Sequence, residues 1–105
     1  MIKATILCCD AGTVIGFRLI SHGNPIVCSA VSMLAINTVN SIEKLTGLTE
    51  QDYHCEWDDD GGYISFSLNS PHMRDTGAGI LLDAMVLGLE SVSEQYPKDI
   101  KLKAQ

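Results

Sequence analysis

The first twenty residues alternate between apolar and polar positions with a period of two. The apolar positions are Ile2, Ala4, Ile6, Cys8, Ile15, Phe17 and Leu19. Between the two apolar series, the sequence Asp-Ala-Gly at 10–12 has the composition of a turn. A period of two places alternate side chains on opposite faces of a strand, one buried and one in water. The pattern therefore predicts an antiparallel hairpin over residues 1–20.

The spacing of apolar residues changes to three and four after Pro25, as expected for an amphipathic helix. The helical positions are Val27, Val31, Leu34, Ile42 and Leu45. Asn24 before Pro25 is typical of an N-cap followed by proline at the first helical position, and Gly47 is typical of a helix end. The sequence predicts a helix near 26–46.

Alternation with a period of two returns over residues 52–68. The apolar positions of this segment are Tyr53, Cys55, Trp57, Ile64, Phe66 and Leu68, and Asp-Asp-Asp-Gly-Gly at 58–62 separates them as a tight turn. A loop at 69–77 then leads into a second helix near 78–96, which ends before Pro97. Its predicted buried face comprises Leu81, Ala84, Met85, Gly88, Val92 and Tyr96. The tail after Pro97 could add a short edge strand.

The predicted element order is ββαββα within one domain, 1–105. The simplest two-layer arrangement that buries the apolar faces of these elements is one antiparallel sheet of two hairpins with two helices packed on one face. The predicted fold class is therefore α+β. We expect the loop at 22–26 to be mobile, because it contains Gly23 and lies where a peptide would have to enter.

The composition limits the possible functions. The chain is 46% apolar and 19% charged, as in soluble globular proteins, and its formal charge of −6 with scattered Lys and Arg argues against direct nucleic-acid binding. No apolar run approaches the roughly 20 residues of a membrane helix, so we expect a cytoplasmic protein with no membrane contact. The four cysteines have no C-x-x-C spacing, which argues against a zinc ribbon or a thioredoxin-type motif, and in a cytoplasmic protein we expect them to be reduced thiols. We expect neither a metal nor a cofactor. The acidic charge would suit a basic protein partner.

His22, Cys28 and Ser32 are the candidate reactive residues. Cys28 falls in the first turn of the predicted helix, where free N–H groups and the helix dipole stabilise a thiolate and could hold an oxyanion. His22 precedes it at the end of a strand and could act as a base, and Ser32 follows one turn later on the same face. The structural alternative is that Cys28 is a small packed core residue, as free cysteines in apolar helices commonly are.

Several segments resemble the ribosomal-processing cysteine protease family, Prp. They include Ile-Val-Cys-Ser-Ala-Val-Ser at 26–32, Asp-Asp-Asp-Gly-Gly-Tyr-Ile-Ser-Phe-Ser-Leu at 58–68, and the long segment 80–102 containing Glu-Gln-Tyr-Pro. Ser21 stands where the family has glycine, and Pro25 where it has aspartate. The loop after His22 is shorter than is usual in the family: either this chain lacks those residues, or they are missing from the sequence as given.

The resemblance implies a homodimeric cytoplasmic endopeptidase with Cys28 and His22 as its catalytic pair and Ser32 in support. It also implies a substrate, the precursor of large-subunit ribosomal protein number twenty-seven, from which an N-terminal extension is removed. The alternative is a non-catalytic dimeric protein of ribosome assembly or regulation, in which Cys28 is structural or redox-sensitive.

Overall fold

A computed structural model describes residues 1–58 and 62–105. The elements are β1 (Ile2–Cys8), β2 (Val14–Ile20), α1 (Pro25–Thr46), β3 (Tyr53–Trp57), β4 (Tyr63–Leu68), a 3₁₀ turn (Ser70–His72), α2 (Thr76–Gln95) and β5 (Ile100–Ala104). This order contains the predicted ββαββα arrangement and adds the edge strand at the end. Within the predicted turn at 58–62, residues 59–61 lie outside the described residues.

The sheet has five strands in the order β3-β4-β2-β1-β5. Four strands pair in antiparallel fashion, whereas β5 pairs with β1 in parallel, with Ile2 opposite Ile100 and Ile6 opposite Ala104. The sheet is therefore mixed, where an all-antiparallel sheet was predicted. The reason is α2, which returns the chain across the sheet so that β5 runs in the same direction as β4, and such a crossover yields parallel strands.

Both helices bury their apolar sides on the same face of the sheet. The core residues of the strands are Ile2, Ala4, Ile6, Phe17, Leu19, Tyr53, Ile64, Phe66, Leu68 and Ile100, and those of the helices are Val27, Val31, Ala35, Val39, Ile42, Ala78, Leu82, Met85 and Leu89. The rings of Phe17 and Phe66 stack at the centre of the sheet, 5.6 Å apart. The predicted α+β arrangement, with two helices on one face, is confirmed.

A β-bulge interrupts the alternation of the first hairpin. Leu7 pairs with Gly16, but the next residue, Cys8, pairs with Val14, so that Ile15 is the extra residue. As a result Cys8 and Val14 pack against the core. The predicted inward orientation of Ile15 is wrong, because a bulge shifts the period of two by one residue.

Three predicted core positions on the helices are also wrong, and one of them, Ala84 of α2, is exposed. Leu45 is 75% exposed and Tyr96 is 39% exposed. On α1 the buried stripe advances mainly in four-residue steps, and because a helix has 3.6 residues per turn the stripe rotates slowly around it. Leu45 falls outside the rotated stripe, although its spacing from Ile42 is helical.

Both helices are long and apolar enough to cross a membrane by length and composition alone, contrary to the expectation that no run approaches that length. The core helices of globular proteins meet the same criterion. In this structure each helix contributes one side to the core beneath the sheet, which accounts for its apolar character.

Candidate active site

The loop that carries His22 is a short connection between β2 and α1. At the end of β2, the Ser21 N–H donates a hydrogen bond to the Gly62 carbonyl (2.9 Å), which fixes the start of the loop. Gly23 has φ of +148°, a backbone conformation that favours glycine. The His22 side chain is exposed and has no hydrogen-bond partner among residues 1–58 and 62–105.

The beginning of α1 has the capping arrangement expected from the sequence. The Asn24 side chain accepts a hydrogen bond from the Ile26 N–H (2.9 Å), and its carbonyl accepts one from the Cys28 N–H (2.9 Å). Pro25 occupies the first helical position and has no N–H to offer. At the opposite end, Gly47 closes the helix in the left-handed conformation, as predicted.

These bonds reduce the number of amides that could hold an anion. With Pro25 lacking an N–H and the amides of Ile26 and Cys28 already bonded, Val27 carries the only first-turn N–H without an acceptor in the described part of the chain. Val27 is fully buried. The expectation of several free N–H groups beside the thiol is therefore wrong, because the Asn24 cap satisfies most of them.

Cys28 is the fourth residue of α1 and is half-buried against the apolar core. It is a free thiol. Ser32, also half-buried, follows one turn later on the same side of the helix. His22 and Cys28 thus both belong to the amino-terminal end of α1, one in the loop that precedes it and one in its first turns.

The other two histidines have acidic partners elsewhere. His54 lies 2.7 Å from Glu56 on exposed β3, and His72 lies 3.0 Å from Asp52. The Thr49 N–H, together with the nearby His72, holds the pKa of Asp52 below its ordinary value. Over residues 1–58 and 62–105 there is no group of three or more metal-ligating side chains.

Sequence reasoning missed a groove of about 600 Å³ between α1 and the outer edge of β3. It is lined by Val39, Asn40, Glu43, Glu50, Gln51, Tyr53, His54, Cys55 and Trp57. Inside it the Tyr53 hydroxyl donates a hydrogen bond to Glu43, and burial together with that carboxylate raises the pKa of Tyr53. Burial, followed by Glu43 and Glu56, also raises the pKa of Cys55. The groove forms between elements, so spacing along the chain could not predict it.

Cys9, which the sequence could not place, lies at the turn of the first hairpin. The Cys9 carbonyl accepts a hydrogen bond from the Gly12 N–H (2.8 Å), which closes the turn. Hydrogen bonds from the backbone of Ala11 and Thr13 lower the pKa of the Cys9 thiol. The Cys9 thiol, at the turn between β1 and β2, therefore ionises more readily than an ordinary cysteine thiol.

Comparisons with known proteins agree with this architecture. The family model described as cysteine protease Prp matches residues 1–101. The chain is 31% identical over 81 residues to the ribosomal processing cysteine protease Prp of Staphylococcus aureus (strain Mu50 / ATCC 700699), covering 77% of this chain and 72% of that protein. It is 25% identical to the protein of the same name from Bacillus subtilis (strain 168), covering 97% of this chain and 96% of that one.

The aligned region with the B. subtilis protein spans 111 positions, more than the 105 residues of this chain, so that relative contains residues absent here. Among solved structures, the fold matches an essential ribosomal processing protease Prp from S. aureus in complex with a covalently linked product peptide. The TM-score is 0.84 and the identity 28%, over 100% of both chains. The match of the family model over residues 1–101 shows that this chain belongs to the cysteine protease Prp family of ribosomal processing proteases and is a cysteine peptidase.

Proposed function

We propose that this protein is the endopeptidase that removes the N-terminal extension of large-subunit ribosomal protein number twenty-seven, with Cys28 as nucleophile and His22 as base. The observation that carries the proposal is the placement of an exposed histidine and a half-buried free thiol at one end of α1, in a chain of a cysteine protease family. Ser32, one turn beyond Cys28, is the supporting residue, positioned to orient the thiol rather than to react.

The proposed reaction proceeds through a thioester. His22 accepts the thiol proton, the Cys28 sulfur forms a bond to the scissile carbonyl carbon, and the resulting tetrahedral intermediate collapses as the carbon–nitrogen bond breaks. The departing amine takes the proton from His22. Water then attacks the thioester while His22 accepts its proton, and the thiol is released with a new carboxylate on the extension.

The chemistry of the chain supports a basic protein substrate met in the cytoplasm. A formal charge of −6 attracts a cationic ribosomal protein and disfavours direct contact with RNA or DNA. The proposed mechanism uses protein side chains and water, without a metal or a cofactor. We include a homodimer in the proposal because the family resemblance of the sequence implies one.

The test is incubation of the purified protein with the precursor, followed by mass spectrometry of the products. Cys28→Ala should abolish cleavage, and Cys28→Ser should be nearly inactive. His22→Ala should slow the reaction about 10²–10⁴-fold, as for loss of a general base. Ser32→Ala should have a smaller effect. Cys55→Ala is the matched thiol control and should cleave normally when folded.

Thiol reactivity provides an independent measurement. Because backbone hydrogen bonds lower the pKa of the Cys9 thiol, alkylation should be measured in a Cys9→Ser background, in which the reactive thiol should map to Cys28. Full cleavage by a verified Cys28→Ala protein would end the assignment of Cys28. Absence of cleavage by the wild-type protein, with Cys28 alkylated only on unfolding, would favour the non-catalytic assembly protein.

A further inference from the structure

The outer edge of β3 has unpaired main-chain groups. The Asn69 N–H donates to the Asp52 carbonyl (3.0 Å) and the Asp58 N–H to the Tyr63 carbonyl (3.1 Å), so the even-numbered residues of this segment bond inward to β4. In an antiparallel pair the main-chain N–H and C=O groups of successive residues point alternately towards the paired strand and away from it. The residues whose N–H and C=O groups point outward are therefore Tyr53, Cys55 and Trp57. None of these groups meets a backbone partner in the described part of the chain.

The groove beside this edge is negatively charged, and an exposed aromatic ring is among its lining residues. Glu43 from α1 and Glu50 from the loop before β3 line it, and its described lining residues include neither Lys nor Arg. Trp57 lies at one end of the strand and is 61% exposed. This surface would recognise a peptide segment with an extended backbone and positively charged side chains, one of which could lie against the aromatic face of Trp57.

The Trp57 end of β3 lies at the same end of the sheet as the candidate reactive residues. Trp57 pairs with Ile64, Ile64 pairs with Leu19, and the loop of His22 begins just beyond. Since neighbouring strands are about 4.8 Å apart, the ends of β3 and β2 are separated by roughly 10 Å. A strand added outside β3 lies one spacing further away, roughly 14 Å from the end of β2, and four to five residues of extended chain cover about that distance, so one polypeptide could occupy both places.

We propose that the β3 edge and its acidic groove form a second binding site for an extended segment of the protein substrate that carries Lys or Arg and is added to the sheet as a strand. The proposal rests on the proposed function, because the bound chain continues to Cys28. Charge complementarity favours this occupant. The opposite edge, β5, carries Lys101 and Lys103 and repels a basic segment.

A second copy of this chain is a poorer occupant of the site. Pairing β3 with β3 would bring Glu43 and Glu50 of each copy towards the acidic groove of the other. Like charges placed opposite each other across strands are destabilising. The same carboxylates attract a basic segment, so the site distinguishes the two occupants by charge.

The binding experiment uses Cys28→Ala protein, which separates binding from cleavage. The probe is a fluorescein-labelled octapeptide of alternating Lys and Thr, titrated by fluorescence anisotropy. Glu43→Gln and Glu50→Gln should each weaken binding about two- to fivefold, as for exposed ion pairs. A peptide of alternating Glu and Thr is the charge control, and an alternating Lys-Thr peptide with N-methylated threonines tests main-chain pairing.

Trp57→Pro and Trp57→Ala form a matched pair. Both remove the indole, but only proline removes the outward N–H, and proline is tolerated at edge positions whose N–H faces away from the ladder. Trp57→Pro should therefore bind the peptide more weakly than Trp57→Ala. In the active protein, Glu43→Gln with Glu50→Gln should raise the KM for the basic precursor and leave kcat unchanged.

Equal binding of the N-methylated peptide, or unchanged binding by the double Gln variant, would overturn the proposal. A change in the oligomeric state of peptide-free Trp57→Pro protein, measured by light scattering, would also overturn it, because a second copy would then cover the edge. Peptide binding as expected, with no cleavage of the precursor by wild-type protein, would refute the proposed function alone. Cleavage without site-dependent binding would refute this inference alone.

Discussion

Gly16 of β2 lies so close to the carbonyl of Phe66 on β4 that a Cβ atom at residue 16 would be 2.0 Å from the carbonyl oxygen. The neighbouring atom is backbone within the central pairing of the sheet, so it cannot move aside as a flexible side chain would. We expect Gly16→Ala to lower the free energy of unfolding by about 3 kcal/mol, near the upper end of the range for overpacking. Urea denaturation measures the change.

The control for Gly16→Ala is a glycine with open space around it. Gly79 lies within α2, and a Cβ there would meet nothing within 4 Å. Gly79→Ala should raise the free energy of unfolding by about 0.5–1 kcal/mol through the higher helix propensity of alanine. Comparable losses from both substitutions would show that the close approach at Gly16 is not the cause.

The Asn24 cap should contribute measurably to stability. Asn24→Ala removes the acceptor of the Ile26 N–H, and we expect a loss of about 1 kcal/mol in the free energy of unfolding. Asn24→Ser, which retains a capping oxygen, is the matched control and should lose only a fraction of this. Urea denaturation of the three proteins distinguishes them, and equal stability of Asn24→Ala and wild type would contradict the capping role.

Asp52 should make stability depend on pH in acid. Its pKa is lower in the folded protein than in the unfolded chain, so the ionised carboxylate stabilises the fold above about pH 4. This contribution is lost as the pH falls through the folded pKa. The difference in unfolding free energy between wild type and Asp52→Asn should therefore be present at about pH 5 and shrink below about pH 4.

The control for Asp52 is Asp83, an exposed residue of α2 without an ion pair or hydrogen-bond partner among residues 1–58 and 62–105. Asp83→Asn should change stability little at neutral pH. A difference between wild type and Asp52→Asn that persists undiminished at pH 2.5 would mean that neither Thr49 nor His72 favours the ionised carboxylate.

Two thiols remote from the proposed chemistry should differ in alkylation rate. Backbone hydrogen bonds lower the pKa of Cys9, whereas burial and nearby carboxylates raise that of Cys55. Because the thiolate is the nucleophile, iodoacetamide at pH 7 should modify Cys9 well before Cys55. Peptide mapping by mass spectrometry gives both rates. Faster modification of Cys55 would contradict the assigned environments.

The local elements could be predicted from the sequence because their signals are local. Asn24, Pro25 and Gly47 mark the ends of α1 through capping chemistry that involves only neighbouring residues. The alternation of buried residues in β4 is likewise a property of one strand. Elements of this kind can be predicted from the sequence without knowledge of the segments that pack against them.

The remaining features depend on contacts between distant segments. The bulge at Ile15 is set by how β2 pairs with β1, and the parallel strand β5 by where α2 returns the chain. The sequence predicts free amides in the first turn of α1, but Asn24, which it also predicts as the cap, accepts hydrogen bonds from the N–H groups of Ile26 and Cys28. The groove between Glu43 and Trp57 joins a helix and a strand that no local pattern relates.

The pairing of β1 with β5 also has a consequence for biosynthesis. β1, the first strand of the described fold, is held on one side by its last strand, β5, with Ile2 opposite Ile100. A ribosome must therefore synthesise residues 2–104 before the pairing of β1 with β5 can be completed, and such distant pairing is slow to form. Until then the nascent protein exposes an unpaired edge of β1, which is open to non-native pairing.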